Sequence, residues 1–294
     1  MKKKQSVDSL VSLIFRTISY ITFFSIILII SIVIIDGARF FKPSFFFEYP
    51  KKAMTQGGIG PAILGSLIMI ALILLISIPL GLLTGVFLSE YGSKSLIGKI
   101  IDIAVTSLSG VPSIVYGLFG LTLFSITLGF GTSILSGSLT LSIMTLPVIA
   151  SSVREALVAL PRELRESAFA LGAKKTETIF KILIPAGNKR IITAILIGSG
   201  RVIGETAPVL LTGAVFYSTK LPTSLLDPVM TLPTHIYFIT MSYGVEAQWM
   251  AKATSSFLLI LILIIYLIAF QIRKEEKNVW TNYNRKNNIK NNKL

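Results

Sequence analysis

A charged segment, RESAFALGAKKTETIFKILIP (Arg165–Pro185), interrupts a chain that is otherwise strongly apolar. Of the 294 residues, 52% are hydrophobic and only 14% are charged, whereas soluble domains carry about 25% charged residues. Long apolar runs flank the segment, and about 20 apolar residues suffice to cross a bilayer as a helix. The sequence therefore predicts an all-α integral membrane protein in which this segment forms a loop outside the lipid.

Six apolar runs are read as membrane spans. They cover Ile18–Ile35, Ile63–Leu88, Ile101–Leu123, Gly137–Val153, Ile191–Val215 and Ser255–Phe270. Of the 28 Lys and Arg residues, 21 fall in segments on the side of the N-terminus, six fall on the opposite side, and Arg201 lies within a span. Basic residues accumulate on the cytoplasmic side of membrane proteins, so both termini are predicted to be cytoplasmic.

The predicted division of the chain is a cytoplasmic N-terminus (1–17), a six-helix membrane domain (18–270) and a cytoplasmic tail (271–294). The tail is rich in Asn and Lys, and this composition predicts disorder. Gly110 and Pro112 in the third span predict a bend there.

Several classes of function are disfavoured by the sequence. The net charge of +14 is accounted for by the cytoplasmic excess of basic residues and needs no nucleic-acid partner. The chain has no cysteine, and it carries no catalytic, cofactor-binding or metal-binding motif that we recognise. GSGRVIG, from Gly198, lies inside a span and is interpreted as close helix packing at Gly200 and Gly204. The only histidine, His235, has no partner ligands and is expected at a surface or interface.

The charged segment has the pattern of two short helices joined by a glycine turn. Pro161 suits the first position of a helix, and Gly172 fits its C-terminal cap. Thr176 can cap a second helix, which Pro185 would stop. An apolar stripe is predicted at Leu164, Ala168 and Leu171. The stripe is compatible with a helix lying on the lipid surface or with a helix docked in a groove of a partner protein, and the flanking carboxylates favour docking.

The same segment resembles the cytoplasmic loop of binding-protein-dependent ABC import permeases, which has the form E-A-A, three residues, G, nine residues, I-x-L-P. The matching positions are Glu166, Ser167, Ala168, Gly172, Ile182 and Pro185. Ser167 replaces Ala, and Ile184 replaces Leu. In that family the loop docks on an ATPase subunit, so the resemblance implies an ATPase-coupling role for residues 161–185, here named the coupling loop.

A second polar constellation lies within the fifth span, in GSGRVIGETAPVLLTGA from Gly198. Arg201 and Glu205 are four residues apart and therefore share a helix face, with Thr206 beside them. Arginine at the bilayer centre costs about 2.5–3.5 kcal/mol, so Arg201 is expected to face protein or water. One interpretation is a structural ion pair between helices. The other is a pathway for an anion, in which the guanidinium offsets the anion's desolvation.

This span resembles the permeases of the phosphate ABC importer, which carry a similar R-x-x-G-E-T-A-P pattern. APVLLTGA and GGIGPAILGS, from Gly57, look more like the PstA-type subunit than its PstC-type partner. The resemblance implies a six-helix, type I import permease of the MetI-like fold in the bacterial inner membrane. It further implies a PstC-type partner permease, an ABC ATPase homodimer, an extracytoplasmic phosphate-binding protein and no enzymatic activity in this chain.

Two alternatives remain open at the level of the sequence. An ABC permease for another oxyanion, such as sulfate or molybdate, would share the coupling loop but is expected to lack the pattern around Arg201. A secondary anion transporter or channel is expected to have no stable ATPase partner.

Overall fold

The computed structural model is almost entirely helical and describes residues 2–52, 54–92, 95–218 and 220–291. The helices in these ranges are α1 (Lys2–Ala38), α2 (Pro43–Phe47), α3 (Gly60–Glu90), α4 (Leu96–Ser109), α5 (Ser113–Gly120), α6 (Ile134–Val158), α7 (Arg162–Ala170), α8 (Lys175–Thr178), α9 (Ile184–Ile203), α10 (Ala207–Thr212), α11 (Leu232–Tyr243) and α12 (Gln248–Asn291). Two π-helical segments, Leu121–Thr127 and Ile179–Leu183, follow α5 and α8. Strands β1 (Pro50–Lys51) and β2 (Gln56–Gly57) pair antiparallel.

Among the described residues, four helical stretches are long and apolar enough to cross a bilayer: Val11–Ala38, Gly60–Glu90, Ile134–Val158 and Gln248–Lys274. Leu96–Ser109 and Ser113–Thr127 together form a fifth, bent by 105°. The remaining predicted span corresponds to α9 and α10, where α9 carries Lys189, Arg190 and Arg201. The predicted all-helical membrane class is confirmed. The backbone of α12 is helical as far as Asn291, and the disorder of the tail remains a prediction.

The bend between α4 and α5 lies where the sequence predicts it. The amide of Gly110 donates to the carbonyl of Ser107, and that of Val111 donates to Leu108, which closes the last turn of α4. Pro112 then adopts an extended conformation, with φ −60° and ψ 142°. A proline disfavours helical backbone at the preceding residue and lacks an amide hydrogen, which favours a break in the helix here.

Helices α3 and α6 form the centre of the bundle and approach each other closely at glycines. A methyl group added at Gly81 would lie 2.7 Å from a side-chain carbon of Ile149, and one added at Gly85 would lie 2.6 Å from Val153. Small residues on one helix let a neighbouring backbone approach in this way. The buried residues fall into apolar clusters, of which one, centred on Ile149, Val153 and Leu157, lies beneath the coupling loop.

His235 lies between α11 and α12 rather than at a surface. Its side chain belongs to a residue that is 1% exposed, and its Nδ1 lies 3.3 Å from the hydroxyl of Thr254. The expectation of a surface or interface position is therefore wrong. The physical reason is that α11 folds back along α12, which buries a residue that the sequence places in a loop.

Candidate functional site

The coupling loop begins with α7, which ends in a glycine turn. Gly172 has φ +81°, a backbone conformation that costs other residues about 1–2 kcal/mol. The amide of Gly172 donates to Phe169 at 3.0 Å, and that of Ala173 donates to Ala168 at 3.1 Å. This pair of bonds is the Schellman arrangement that satisfies carbonyls at a helix end. The predicted glycine turn is confirmed.

The second helix of the loop begins two residues earlier than the sequence predicts. Lys174, not Thr176, is the capping residue, and its amide donates to Oε2 of Glu177 at 3.1 Å. The ammonium of Lys181 donates to the other oxygen of Glu177 at 3.2 Å. Both interactions favour the ionised carboxylate and lower the pKa of Glu177, and the backbone bond from Lys174 is the larger cause.

The prediction that Pro185 stops this helix is wrong. The chain continues through the π-helical segment Ile179–Leu183 into α9, with Pro185 in the first turn of α9. The amide of Ile184 donates to the carbonyl of Ile179, five residues earlier. This π-helical turn is one residue wider than an α-helical turn. It does not need an amide hydrogen from Pro185, so the helix continues through that residue.

Apolar residues of the coupling loop divide into a buried base and an exposed surface. Ala168 is 4% exposed and Leu183 is fully buried, whereas Leu171 is 88% exposed. The predicted apolar stripe of Leu164, Ala168 and Leu171 is therefore divided, because the glycine turn directs the chain away after Ala170 and leaves Leu171 exposed. The exposed apolar residues of the loop, here named the loop apolar surface, are Phe169, Leu171 and Phe180.

Most of the other predicted coupling residues are also exposed. Glu166, Ser167, Gly172 and Pro185 are exposed, and Ile182 is half-buried. Exposed apolar side chains on a polar, water-facing loop are typical of a protein-docking surface. The structure brings the predicted motif together in one compact element.

The loop is tied to the end of α3 by residues that the sequence did not single out. Nη2 of Arg165 lies 2.7 Å from Oε1 of Glu90. The ammonium of Lys175 donates to the carbonyl of Glu90 at 2.6 Å and lies 3.8 Å from the centroid of the Tyr91 ring. Glu90 and Arg165 are 75 residues apart, so no local pattern indicates this contact.

The second predicted site lies at a break in the fifth span. Helix α9 ends at Ile203 and α10 begins at Ala207, so the predicted single span Ile191–Val215 is divided in the structure. In a continuous helix the ring of Pro208 would clash with the carbonyl of Gly204, and glycine also weakens helix there. Residues 203–207 are here named the helix break.

Arg201 and Glu205 lie on the two sides of the end of α9. Nε of Arg201 is 3.8 Å from Oε1 of Glu205, which is too long for a hydrogen bond. The side chain of Arg201 is 55% exposed and that of Glu205 is 16% exposed. Arg201 is thus open to a partner or ligand, whereas Glu205 is directed into the bundle.

Glu205 borders a small cavity of about 20 Å³ between α3, α6 and the helix break. Ser66 of α3 and Thr231 also line the cavity. That volume holds about one water molecule, so the cavity is too small for an oxyanion. Thr206, the third predicted pathway residue, precedes α10 and makes no side-chain capping bond.

Gly200 has the packing role that its sequence context predicts, and Gly204 does not. A methyl group added at Gly200 would clash with the Tyr266 ring of α12. At Gly204 the nearest atom to an added methyl group would lie 3.6 Å away. The prediction of close helix approach is confirmed for Gly200 and wrong for Gly204, which lies at the helix break instead.

Comparison with known proteins identifies the family of this chain. A family model described as the binding-protein-dependent transport system inner membrane component matches residues 77–270. The probable ABC transporter permease protein YqgI of Bacillus subtilis is 32% identical over 251 residues, covering 81% of this chain and 85% of that protein. The probable phosphate transport system permease protein PstA of Methanocaldococcus jannaschii is 35% identical over 214 residues, covering 73% of this chain and 75% of that protein.

Solved structures support the fold. An inward-facing structure of the MetNI methionine ABC transporter matches with a TM-score of 0.58 at 18% identity and covers 74% of this chain and 94% of that chain. The resemblance found in the sequence and the expected permease fold are confirmed. Because the family model matches most of this sequence, the chain belongs to the family of binding-protein-dependent transport system inner membrane components.

Proposed function

We propose that this chain is the membrane permease subunit of an ATP-driven phosphate importer in a bacterial inner membrane. It forms half of the translocation pathway, with a PstC-type permease as the other half. An ABC ATPase homodimer binds the coupling loop, and an extracytoplasmic phosphate-binding protein delivers the substrate. Both termini lie in the cytoplasm, on the same side as the coupling loop.

The observation that carries the proposal is the loop apolar surface. Phe169, Leu171 and Phe180 are exposed on a loop whose base is packed against the bundle. An apolar surface of this kind on a charged loop fits a groove in a partner protein. The family membership supports an ATPase as that partner, and the relative named as a phosphate permease supports phosphate as the substrate.

An external source of energy fits the chemistry of the substrate. Phosphate carries one to two negative charges near neutral pH, and an inside-negative membrane potential opposes each charge by about 2.3 kcal/mol per 100 mV. A passive pathway would therefore lose phosphate from the cell. ATP hydrolysis by the partner supplies the energy, and the coupling loop transmits the resulting movement to the helices.

Arg201 is the substrate-pathway residue in this proposal. Its side chain is 55% exposed in the single chain, and its Nε lies 3.8 Å from Glu205. A guanidinium can form two parallel hydrogen bonds with an oxyanion. Glu205 orients Arg201, and Thr206 supplies a hydroxyl at the helix break.

A cysteine cross-link tests the docking step cleanly because the native chain has no cysteine. Leu171→Cys, in the complete complex, is expected to cross-link to the ATPase subunit through a short bifunctional reagent. Val245→Cys is the matched control, because Val245 is 81% exposed in the turn between α11 and α12. Equal capture of the ATPase by both variants, or by neither, would contradict the proposal.

Substrate class is tested by competition in the same complex. Reconstituted vesicles are expected to take up labelled phosphate in the presence of ATP, and excess sulfate or molybdate is expected to leave this uptake unchanged. Inhibition by either competing oxyanion at similar concentration would instead assign the chain to a different importer. Uptake without ATP would indicate a secondary transporter or channel.

A further inference from the structure

We propose that Glu90 is a positioning residue that joins the coupling loop to α3, so that movement of the loop displaces α3 with it. Glu90, Tyr91, Arg165 and Lys175 are here named the Glu90 latch. The inference rests on the proposed function, because it assumes that the coupling loop receives force from an ATPase.

The guanidinium of Arg165 lies at the centre of the latch. Nη2 and Nε lie 2.7 Å and 3.2 Å from Oε1 of Glu90. Nη2 also donates to the carbonyl of Leu157 at 2.9 Å, and Nη1 donates to that of Leu160 at 3.4 Å. One side chain of α7 thus joins the end of α3 to the end of α6. A lysine has no planar set of donors that could make all of these bonds.

Burial distinguishes this ion pair from the other pair within the loop. The side chains of Arg165 and Glu90 are 19% and 9% exposed, whereas those of Lys181 and Glu177 are 74% and 44% exposed. Exposed pairs contribute little because water and salt screen them. Removal of one partner from a desolvated pair leaves the other charge uncompensated. The Glu90 pair is therefore the stronger connection.

The second helix of the loop is held at the same place. Lys175, the first residue of α8, donates to the backbone carbonyl of Glu90, and its ammonium lies over the ring of Tyr91. Both helices of the coupling loop therefore contact the last turn of α3, one through Arg165 and one through Lys175. The loop cannot tilt without moving this turn or breaking these bonds.

Helix α3 extends from the latch to the surroundings of the helix break. Glu90 is its last residue, and Ser66, in its first turns, lines the cavity that Glu205 borders. In between, Gly81 and Gly85 pack closely on α6. The covalent route from the loop runs through α9, and the latch provides a second route through α3. Both routes end beside Glu205.

The decisive measurement is the amount of phosphate taken up per ATP hydrolysed by the reconstituted complex. Glu90→Gln preserves the shape of the side chain and removes its charge. We expect uptake per ATP to fall by about threefold or more, the range found for mutations that weaken coupling between sites. ATP hydrolysis is expected to remain, because the loop apolar surface is unchanged. Glu90→Asp, which keeps the charge, is expected to retain more coupling than Glu90→Gln.

Glu155→Gln is the matched control, because Glu155 is an exposed carboxylate near the end of α6, outside the coupling loop. It is expected to leave uptake per ATP unchanged. Arg165→Gln is expected to reproduce the defect of Glu90→Gln, and the double variant is expected to be little worse than either single variant.

The outcomes separate the latch from the proposed function. Loss of the Leu171 cross-link in the otherwise unaltered chain would contradict ATPase docking itself. If that cross-link forms and Glu90→Gln leaves uptake per ATP unchanged, the latch is overturned. The latch is also overturned if Glu90→Gln abolishes both the cross-link and ATP hydrolysis, because Glu90 would then only shape the docking surface.

Discussion

The coupling loop and the helix break differ in how completely this chain satisfies their polar groups. In the coupling loop, Arg165 finds acceptors on both α3 and α6, and its side chain is 19% exposed. At the helix break, Arg201 has one carboxylate at 3.8 Å and its side chain is 55% exposed. Arg165 is thus mostly buried and hydrogen-bonded within the chain, whereas Arg201 is exposed and makes no close hydrogen bond to Glu205.

This difference separates a part that is complete in one subunit from a part that requires another molecule. A guanidinium with all its acceptors supplied by the chain is fixed in position and can transmit force. A guanidinium with unused donors can bind an anion or the second permease. This contrast is consistent with the proposed roles, in which the loop transmits force and Arg201, beside the helix break, contacts the substrate.

Removal of Arg201 is expected to give the largest effect. Arg201→Ala should lower phosphate uptake by about tenfold or more, since hydrogen bonds to charged groups contribute about 1.5–3 kcal/mol. The chain should still assemble with the ATPase and give the Leu171 cross-link, because Arg201 has little structural pairing to lose. Uptake by reconstituted vesicles measures the effect, with Arg39→Ala, an exposed arginine paired with Asp36, as the control. Unchanged uptake would reduce Arg201 to a packing residue and remove the contrast with Arg165.

A packing change next to the helix break is expected to have a smaller effect, on stability. Gly200→Ala introduces a methyl group that clashes with the Tyr266 ring, and overpacking of this kind costs about 1–3 kcal/mol. Gly204→Ala is the control and should change stability by less than about 0.5 kcal/mol, because an added methyl group meets no close neighbour there. Thermal unfolding of the purified chain measures both. Equal destabilisation by the two variants would show that Gly204 also packs closely.

Local chemistry explains which features could be predicted from the sequence. The bend at Pro112 and the turn at Gly172 each depend on the backbone preferences of one residue. The length of the apolar runs predicted the helical class, and the spacing of the coupling motif predicted the loop. These features need no knowledge of distant contacts.

Other features depend on what packs nearby, and the sequence could not supply this. Glu90 meets Arg165 across 75 residues, and His235 is buried because α11 folds back along α12. Pro185 failed as a stop signal because a π-helical segment preceded it. The division of the fifth span was not predicted, because the apolar run Ile191–Val215 is long enough to form one continuous helix. The sequence offered one signal for the Glu90 latch. Glu90 and Tyr91 are polar residues at the end of an apolar span.

The smallest expected effect is a pH dependence at the start of α8. The pKa of Glu177 is lowered from 4.5 in the folded chain, so its cap stabilises the helix above the unfolded pKa and is lost as pH falls through the folded pKa. Amide protection of Lys174, measured by hydrogen exchange and corrected for the intrinsic rate, should therefore be constant down to about pH 4.5 and then fall.

In the control variant Glu177→Gln, the protection of the Lys174 amide should be lower and should not change with pH across this range. Because the side chain is 44% exposed, water and salt reduce the effect, and uptake near neutral pH should not change. A similar acid-dependent loss in the glutamine variant would mean that another group caps α8.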